Sequence, residues 1–307
     1  MTEHDALAPM YAEARNRGAI IDLSDRAKWR VTGPDRVRYL NGQVTNDIRK
    51  ADERTALEAC VTTAKGRLSG VINVSASPTF LRLDAEAELR GPMALRLERY
   101  MIADDVALED TTDNECIFHS LPPASLVCPD GVEVRKTRRF VKEGFDFIAP
   151  RAEHGRLLAD LSSQAVLIPA SLAEVLRIEA GVPKWGAELT EETLPPEAGL
   201  DLTAIDYHKG CYIGQEVISR IKSVGHVNRA LMGIMSDSAL AAGMTLHPES
   251  DREKQAGEIT SAAWSFGLEC WAGLGYVKRG FAGTALAARS RDGATVGVKV
   301  LDLPLVP

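Results

Sequence analysis

Little in this chain of 307 residues points to disulfide, metal or membrane chemistry. Its five cysteines, Cys60, Cys116, Cys128, Cys211 and Cys270, are odd in number, widely scattered and form no C-x-x-C pair. Neither a disulfide framework nor a zinc quartet follows from that spacing. The six histidines are unclustered and read as structural, so no metal ligand set is predicted. No apolar run approaches the ~20 residues of a membrane-crossing helix. The start, Met1-Thr2-Glu3-His4-Asp5, has no apolar segment of the signal-peptide kind. These absences predict a reduced, cytoplasmic setting with no membrane partner. Basic charge is also short: the net charge of −7 argues against nucleic acid as a direct partner. The run Arg135, Lys136, Arg138, Arg139 is a candidate local patch but reads first as a solvated strand or turn. Gly273-x-Gly275 lacks the remaining glycines and the following helix of a dinucleotide fingerprint.

What is present is ordinary soluble composition, 45% apolar and 26% charged, in a length that fits two or three domains. A helix is expected over Leu7–Arg17, stopped by Gly18, followed by strands at Ala19–Leu23 and Lys28–Thr32. Gly33-Pro34 then opens a helix with Val37, Leu40 and Val44 on one face. Residues 51–121 read as strand, strand, strand, helix, strand, a ferredoxin-like α+β unit. A strand at Phe145–Ala149 and a helix at Arg151–Leu161 lead to a second helix, Ser171–Gly181. Its start carries the capping-box spacing Ser171-x-x-Glu174. Beyond residue 226, short glycine-punctuated strands suggest a small β-barrel. The expected fold class is therefore α+β in three domains. The first is split between 1–50 and 122–226, the second is 51–121, and the barrel is 227–307.

Two places carry candidate chemistry. The segment Lys209-Gly210-Cys211-Tyr212-Ile213-Gly214-Gln215-Glu216 precedes an apolar-periodic run (Val217, Ile218, Ile221), so Gln215 and Glu216 fall in a first helical turn. Cys211 then sits ahead of a helix N-terminus near Lys209. That position suits an accessible thiolate and equally a small buried hydrophobe. The second place is Glu179, in line with Leu172, Val175 and Leu176 on one helix stripe, with Glu174 and Arg177 projecting elsewhere as solvated residues. A carboxylate on a buried stripe must be paired or hydrogen-bonded. A salt bridge and a ligand contact both satisfy that.

The octet 209–216 resembles the signature of the YgfZ family of tetrahydrofolate-binding proteins, which share their fold with the glycine-cleavage T-protein. Val31–Arg36, Tyr39–Asp47, Leu176–Pro183, Pro195–Gly199, Gly257–Ser261 and Leu274–Val277 resemble successive stretches of that superfamily, in the same order. The resemblance implies tetrahydrofolate or a one-carbon derivative in a central cavity, with Cys211 at its mouth as the reactive group. It implies that Glu179 holds the pterin ring, whose amino group and ring N–H suit one carboxylate. Lys209, Tyr212, Gln215 and Glu216 become candidate folate contacts. So do Arg220, facing the glutamate tail or paired with Glu216, and the rings of Trp185 and Trp29, each also readable as a core or rim residue. The implied role is support of iron–sulfur cluster assembly or repair, with iron–sulfur proteins or cluster carriers as partners, since one thiolate cannot hold a cluster alone. Alternatives are a folate-dependent aminomethyl transferase and a tRNA-modification-linked regulator with folate as effector. Against the transferase, Gly70 and Val71 stand where T-protein relatives carry an Asp-Asp pair, and neither moves a proton. Asp47 and Asp84 are present but do not match that motif.

Overall fold

The computed structural model describes residues 3–124, 126–140, 142–281 and 283–306. Helix α1 (Glu3–Arg17) ends at Gly18, whose φ of +80° is left-handed and where a Cβ would lie 2.3 Å from the Ala124 nitrogen. Strands β1 (Ala19–Asp22) and β2 (Ala27–Thr32) follow, then α2 (Arg36–Gln43). Next come β3 (Leu57–Thr62), β4 (Leu68–Ala76), β5 (Leu81–Ala85), α3 (Arg90–Glu98) and β6 (Ala107–Asp110). The chain continues through β7 (Glu115–Leu121), β8 (Glu133–Phe140), β9 (Lys142–Pro150), α4 (His154–Ser162), β10 (Val166–Leu167) and α5 (Ala170–Ala180). After a long irregular stretch, α6 (Gln215–Val224) leads into β11 (Arg229–Ser236), β12 (Thr245–Pro248) and β13 (Gly257–Ser265). The last strands are β14 (Cys270–Lys278), β15 (Leu286–Arg289) and β16 (Thr295–Leu301).

These strands form two five-stranded sheets, in the orders β10-β1-β7-β9-β8 and β3-β4-β5-β2-β6, and a closed barrel, β11-β14-β13-β12-β15-β16. The α+β class and the C-terminal barrel are as expected. The sheets partition the chain differently from the expected domain boundaries. Strand β2, placed with the first unit by sequence, pairs with β5 and β6 of the second sheet. Strand β7, placed with the second unit, pairs with β1 and β9 of the first. Alternation and length define a strand, but long-range pairing chooses its neighbours. The chain therefore crosses between the sheets at Leu23–Arg26 and again at 111–114. A short parallel bridge also joins them, with the Lys136 amide donating to the Arg54 carbonyl at 2.7 Å.

The seam between the sheets is charged. Arg82, 3% exposed, lies between Glu115 and Glu133, while Arg139 spans Asp84 and Asp146, and Arg26 reaches Asp84 at 2.6 Å. Desolvation on this scale is offset only when each charge meets several partners, as here. The basic run is thus a strand that is solvated on one side only, at Lys136 and Arg138. Arg135 and Arg139 point inward from β8 into this seam because alternate strand residues share a face.

Strand β4 shows the same alternation. Gly70, Ile72 and Val74 face α3, and a Cβ on Gly70 would meet the Met93 methyl at 2.4 Å. Val71 and Asn73 face the opposite way, into the central cavity. The capping box at Ser171 is not formed: α5 starts one residue earlier behind Pro169, with no side-chain cap. Glu174 pairs instead with Arg177. Among the described residues no helix is long and apolar enough to cross a membrane, and no histidine, cysteine and carboxylate group could hold a metal.

Candidate functional site

A cavity of about 780 Å3 opens where the two sheets, α5 and the loop after it converge. One wall is apolar, with Leu23, Phe140, Ile168, Val182, Trp185 and Leu189. Charged side chains line it too, Arg138 and Arg139 from β8, Arg26 from the loop before β2, and Glu174, Arg177 and Lys184 from α5 and the loop after it. Glu58, on β3, projects among them. Its carboxyl accepts the Thr203 hydroxyl at 2.5 Å. Burial pushes its pKa up, more than the Thr203 bond and the Arg138, Arg139 and Arg26 guanidinium groups pull it down. A cavity of this volume, lined by apolar side chains together with charged and polar ones, has the character of a small-molecule site.

Helix α5 supplies the floor, and its phase decides which residues do so. Ala170, Ala173, Glu174 and Arg177 recur at helical spacing on the cavity side. The other side, with Leu172, Val175 and Leu176, packs against α1. Arg177 is not solvated, as sequence had placed it, but 6% exposed. Its guanidinium donates to both Glu174 oxygens, to Glu188 at 2.9 Å and to the Ser261 hydroxyl at 2.6 Å. Glu188, 1% exposed, also accepts Thr260 and Ser261 of β13 and the Lys184 amide. This network bolts the cavity floor to the barrel.

Glu179 does lie on a buried stripe, 2% exposed, but does not line the cavity. Its carboxylate accepts the Tyr11 hydroxyl at 2.9 Å, the Ser265 hydroxyl at 2.5 Å and, weakly, the Gly267 amide at 3.4 Å. Among the described residues it forms no salt bridge, and it does not line the central cavity. It joins α1, α5 and the β13–β14 turn, beside a minor void of about 70 Å3. Trp29 is also corrected: fully buried, it packs with Tyr39, Leu40 and Met93 in the core of the second sheet. Trp185 does line the cavity.

The octet sits elsewhere. Lys209, Cys211, Tyr212, Gln215, Glu216 and Arg220 are absent from the cavity wall, because their loop packs on the far end of β3 and on α2. The Thr62 hydroxyl donates to the Ile213 carbonyl at 2.5 Å, and the Ile213 amide to the Gly42 carbonyl at 3.3 Å. Gly214 has φ +89°, and a Cβ there would lie 2.5 Å from the Thr63 carbonyl oxygen, so only glycine fits. The Lys209 ammonium, 6% exposed in its residue, donates to the Asn41, Val44 and Asn46 carbonyls at 2.6–2.7 Å, satisfying the end of α2. Burial pushes its pKa down to about 8. Its ammonium also lies over the Tyr212 ring at 5.3 Å. Lys209 and Tyr212 are thus structural pins of the loop. Gln215 and Glu216 open α6 as expected, and Arg220 is exposed on its outer side. Cys211 is exposed, which rules out the buried-hydrophobe reading but places the thiol away from the cavity.

Sequence reading missed Glu58, Glu188 and the Asp84–Arg139–Asp146 chain. Glu58 had a signal: it is the sole charge in the strand-like run Ala56–Thr63. Glu188 had none, lying in an irregular stretch.

Comparison with known proteins agrees with this architecture. Residues 229–307 match the glycine cleavage T-protein C-terminal barrel domain. The glycine cleavage system aminomethyltransferase T of Bartonella henselae superposes with a TM-score of 0.86 over 98% of this chain and 89% of its own, at 17% identity, a likeness of fold. A putative chloroplastic transferase of Arabidopsis thaliana is 24% identical, covering 86% of this chain and 66% of its own length. The tRNA-modifying protein YgfZ of Shigella sonnei is 27% identical over 80% of this chain and 79% of its own. That of Serratia proteamaculans is 30% identical over 78% of this chain and 76% of its own. With the octet seated as a structural clasp and relatives aligned over most of both chains, this chain belongs to the YgfZ family.

Proposed function

We propose that the chain binds a reduced folate, tetrahydrofolate or a one-carbon derivative, in the central cavity. The cavity carries this reading: its apolar side chains, Trp185 among them, suit a pterin or benzoyl ring, and Lys184 in its lining suits a carboxylate tail. Kinship to the YgfZ family and the T-protein fold supports it. The role that follows is support of iron–sulfur cluster assembly or repair, with Cys211 acting at the surface on a partner protein rather than on the bound folate. Its exposure and its absence from the cavity lining favour that division of labour. Titration of the full chain with tetrahydrofolate, followed by calorimetry and by tryptophan fluorescence, tests the binding. Saturable binding with a signal lost in Trp185→Phe supports the reading. No binding under reducing conditions overturns it.

A second reading, folate as effector of a tRNA-modification function, draws on the names of the bacterial relatives. Changed tRNA modification without changed cluster-enzyme activity in cells lacking the protein would favour it.

A further inference from the structure

Glu58 and Asn73 occupy paired positions on adjacent strands β3 and β4. Cross-strand partners have Cβ atoms about 5 Å apart, so the two side chains share one patch of sheet surface. Both line the central cavity, next to Val71 on the same face of β4. Val71 is one of the two positions where sequence reading found no acid. The sheet nevertheless brings a carboxyl to that patch from the neighbouring strand.

We propose that Glu58, with Asn73 beside it, is the group of this cavity that reads the N–H donor edge of the bound ligand. This rests on the folate reading and assigns the pterin's amino group and ring N–H to Glu58 in place of Glu179. Three observations carry it. Glu179 has its carboxylate filled by Tyr11, Ser265 and Gly267, whereas the Glu58 carboxyl takes one hydroxyl, that of Thr203, and faces open cavity. Among the described residues Glu58 also forms no salt bridge. The cavity arginines Arg26 and Arg139 are held by Asp84, Glu86 and Asp146, and Arg177 by Glu174 and Glu188. Finally, Thr203 fixes the carboxyl in place by a bond to one oxygen, which orients the group without occupying both oxygens.

The surroundings set the protonation behaviour. Arg138 and Arg139 from β8 and Arg26 from the loop before β2 favour the ionised form. β4 contributes the neutral Asn73, and the segment before α6 contributes the Thr203 hydroxyl. Burial opposes ionisation more strongly and raises the pKa. A carboxylate accepting two N–H groups must be ionised, so ligand affinity falls as pH drops through the raised pKa of Glu58. In the free protein the desolvated charge is a cost, so its neutral isostere leaves the fold intact.

The test is calorimetric titration of the full chain with tetrahydrofolate, anaerobically, from pH 5 to 8, for wild type, Glu58→Gln and Glu58→Ala, with thermal melts of each. Expected are binding by wild type that weakens towards pH 5, at least about tenfold weaker binding by both variants at pH 8, and loss of the pH trend. Glu58→Gln should melt at the same temperature as wild type or higher. Wild-type binding with both variants within twofold and the same pH trend overturns the assignment and leaves the folate reading standing. A Glu58→Gln melting temperature several degrees lower also overturns it, by making the role structural. Absence of binding by wild type overturns the folate reading and this assignment together.

Discussion

The Tyr11 hydroxyl donates to the Glu179 carboxylate at 2.9 Å across 168 residues of sequence, so α1 is held to α5 through a buried carboxylate rather than through apolar contact alone. Ser265 from the barrel completes the same carboxylate. Tyr11→Phe removes one donor and should cost about 0.5–1.5 kcal/mol. Glu179→Ala strands both hydroxyls and should cost about 2–3 kcal/mol. The double variant should cost less than the sum, since both act through one contact. Urea unfolding midpoints check this, with folate affinity unchanged in variants that remain folded.

The two glycines of the octet differ in what they permit. Gly214 has φ +89° and a carbonyl oxygen 2.5 Å from where a Cβ would stand, while Gly210 has open space there. Gly214→Ala should destabilise by about 1–3 kcal/mol or more, and Gly210→Ala should be nearly neutral. Melting temperatures of the pair decide this.

His119 is buried against Asp146, its Nδ1 2.8 Å from the carboxylate. Burial holds its pKa below the ordinary 6.5, more than Asp146 raises it. The unfolded chain therefore takes up a proton near pH 6.5 that the folded chain refuses. Stability should fall as pH drops below about 6.5, with a slope of up to about 1.4 kcal/mol per pH unit from this group. Asp146 is itself buried, but Arg139 and His119 hold it well below the usual carboxylate range, so its contribution persists until more acid pH. His119→Asn keeps a donor towards Asp146 without titrating and should flatten the profile between pH 5 and 6.5. Thermal melts across that range measure it.

Cys211 is exposed and makes no contribution to the cavity wall. Cys211→Ala should leave the melting temperature and the tetrahydrofolate affinity as in wild type, while lowering cluster-enzyme activity in cells. Unchanged cluster-enzyme activity would remove the thiol from the mechanism.

Local patterns in the sequence determined most of the elements and their order, though not the short strands β6, β10 and β12. Gly18 ended α1, the apolar stripe of α5 was read in the right phase, and glycine-punctuated strands after residue 226 announced a barrel that closes. The octet identified the family, and the stripe correctly placed Glu179 in the interior. These features depend on neighbours a few residues apart, where backbone geometry and side-chain period act directly.

What lies across the structure was decided only by packing. Glu179 and Glu174 are five residues apart on one helix, yet the barrel fills the first while the cavity receives the second. Trp29 and Trp185 looked alike as candidate rings, but pairing of β2 with β5 and β6 drew Trp29 into a core and left Trp185 on a wall. Lys209 and Cys211 are two residues apart, one capping α2 and the other facing solvent. Glu58 gained its place beside Asn73 from strand register. A buried charge is tolerated only where distant partners complete it, and their positions belong to the tertiary fold, not to the local sequence.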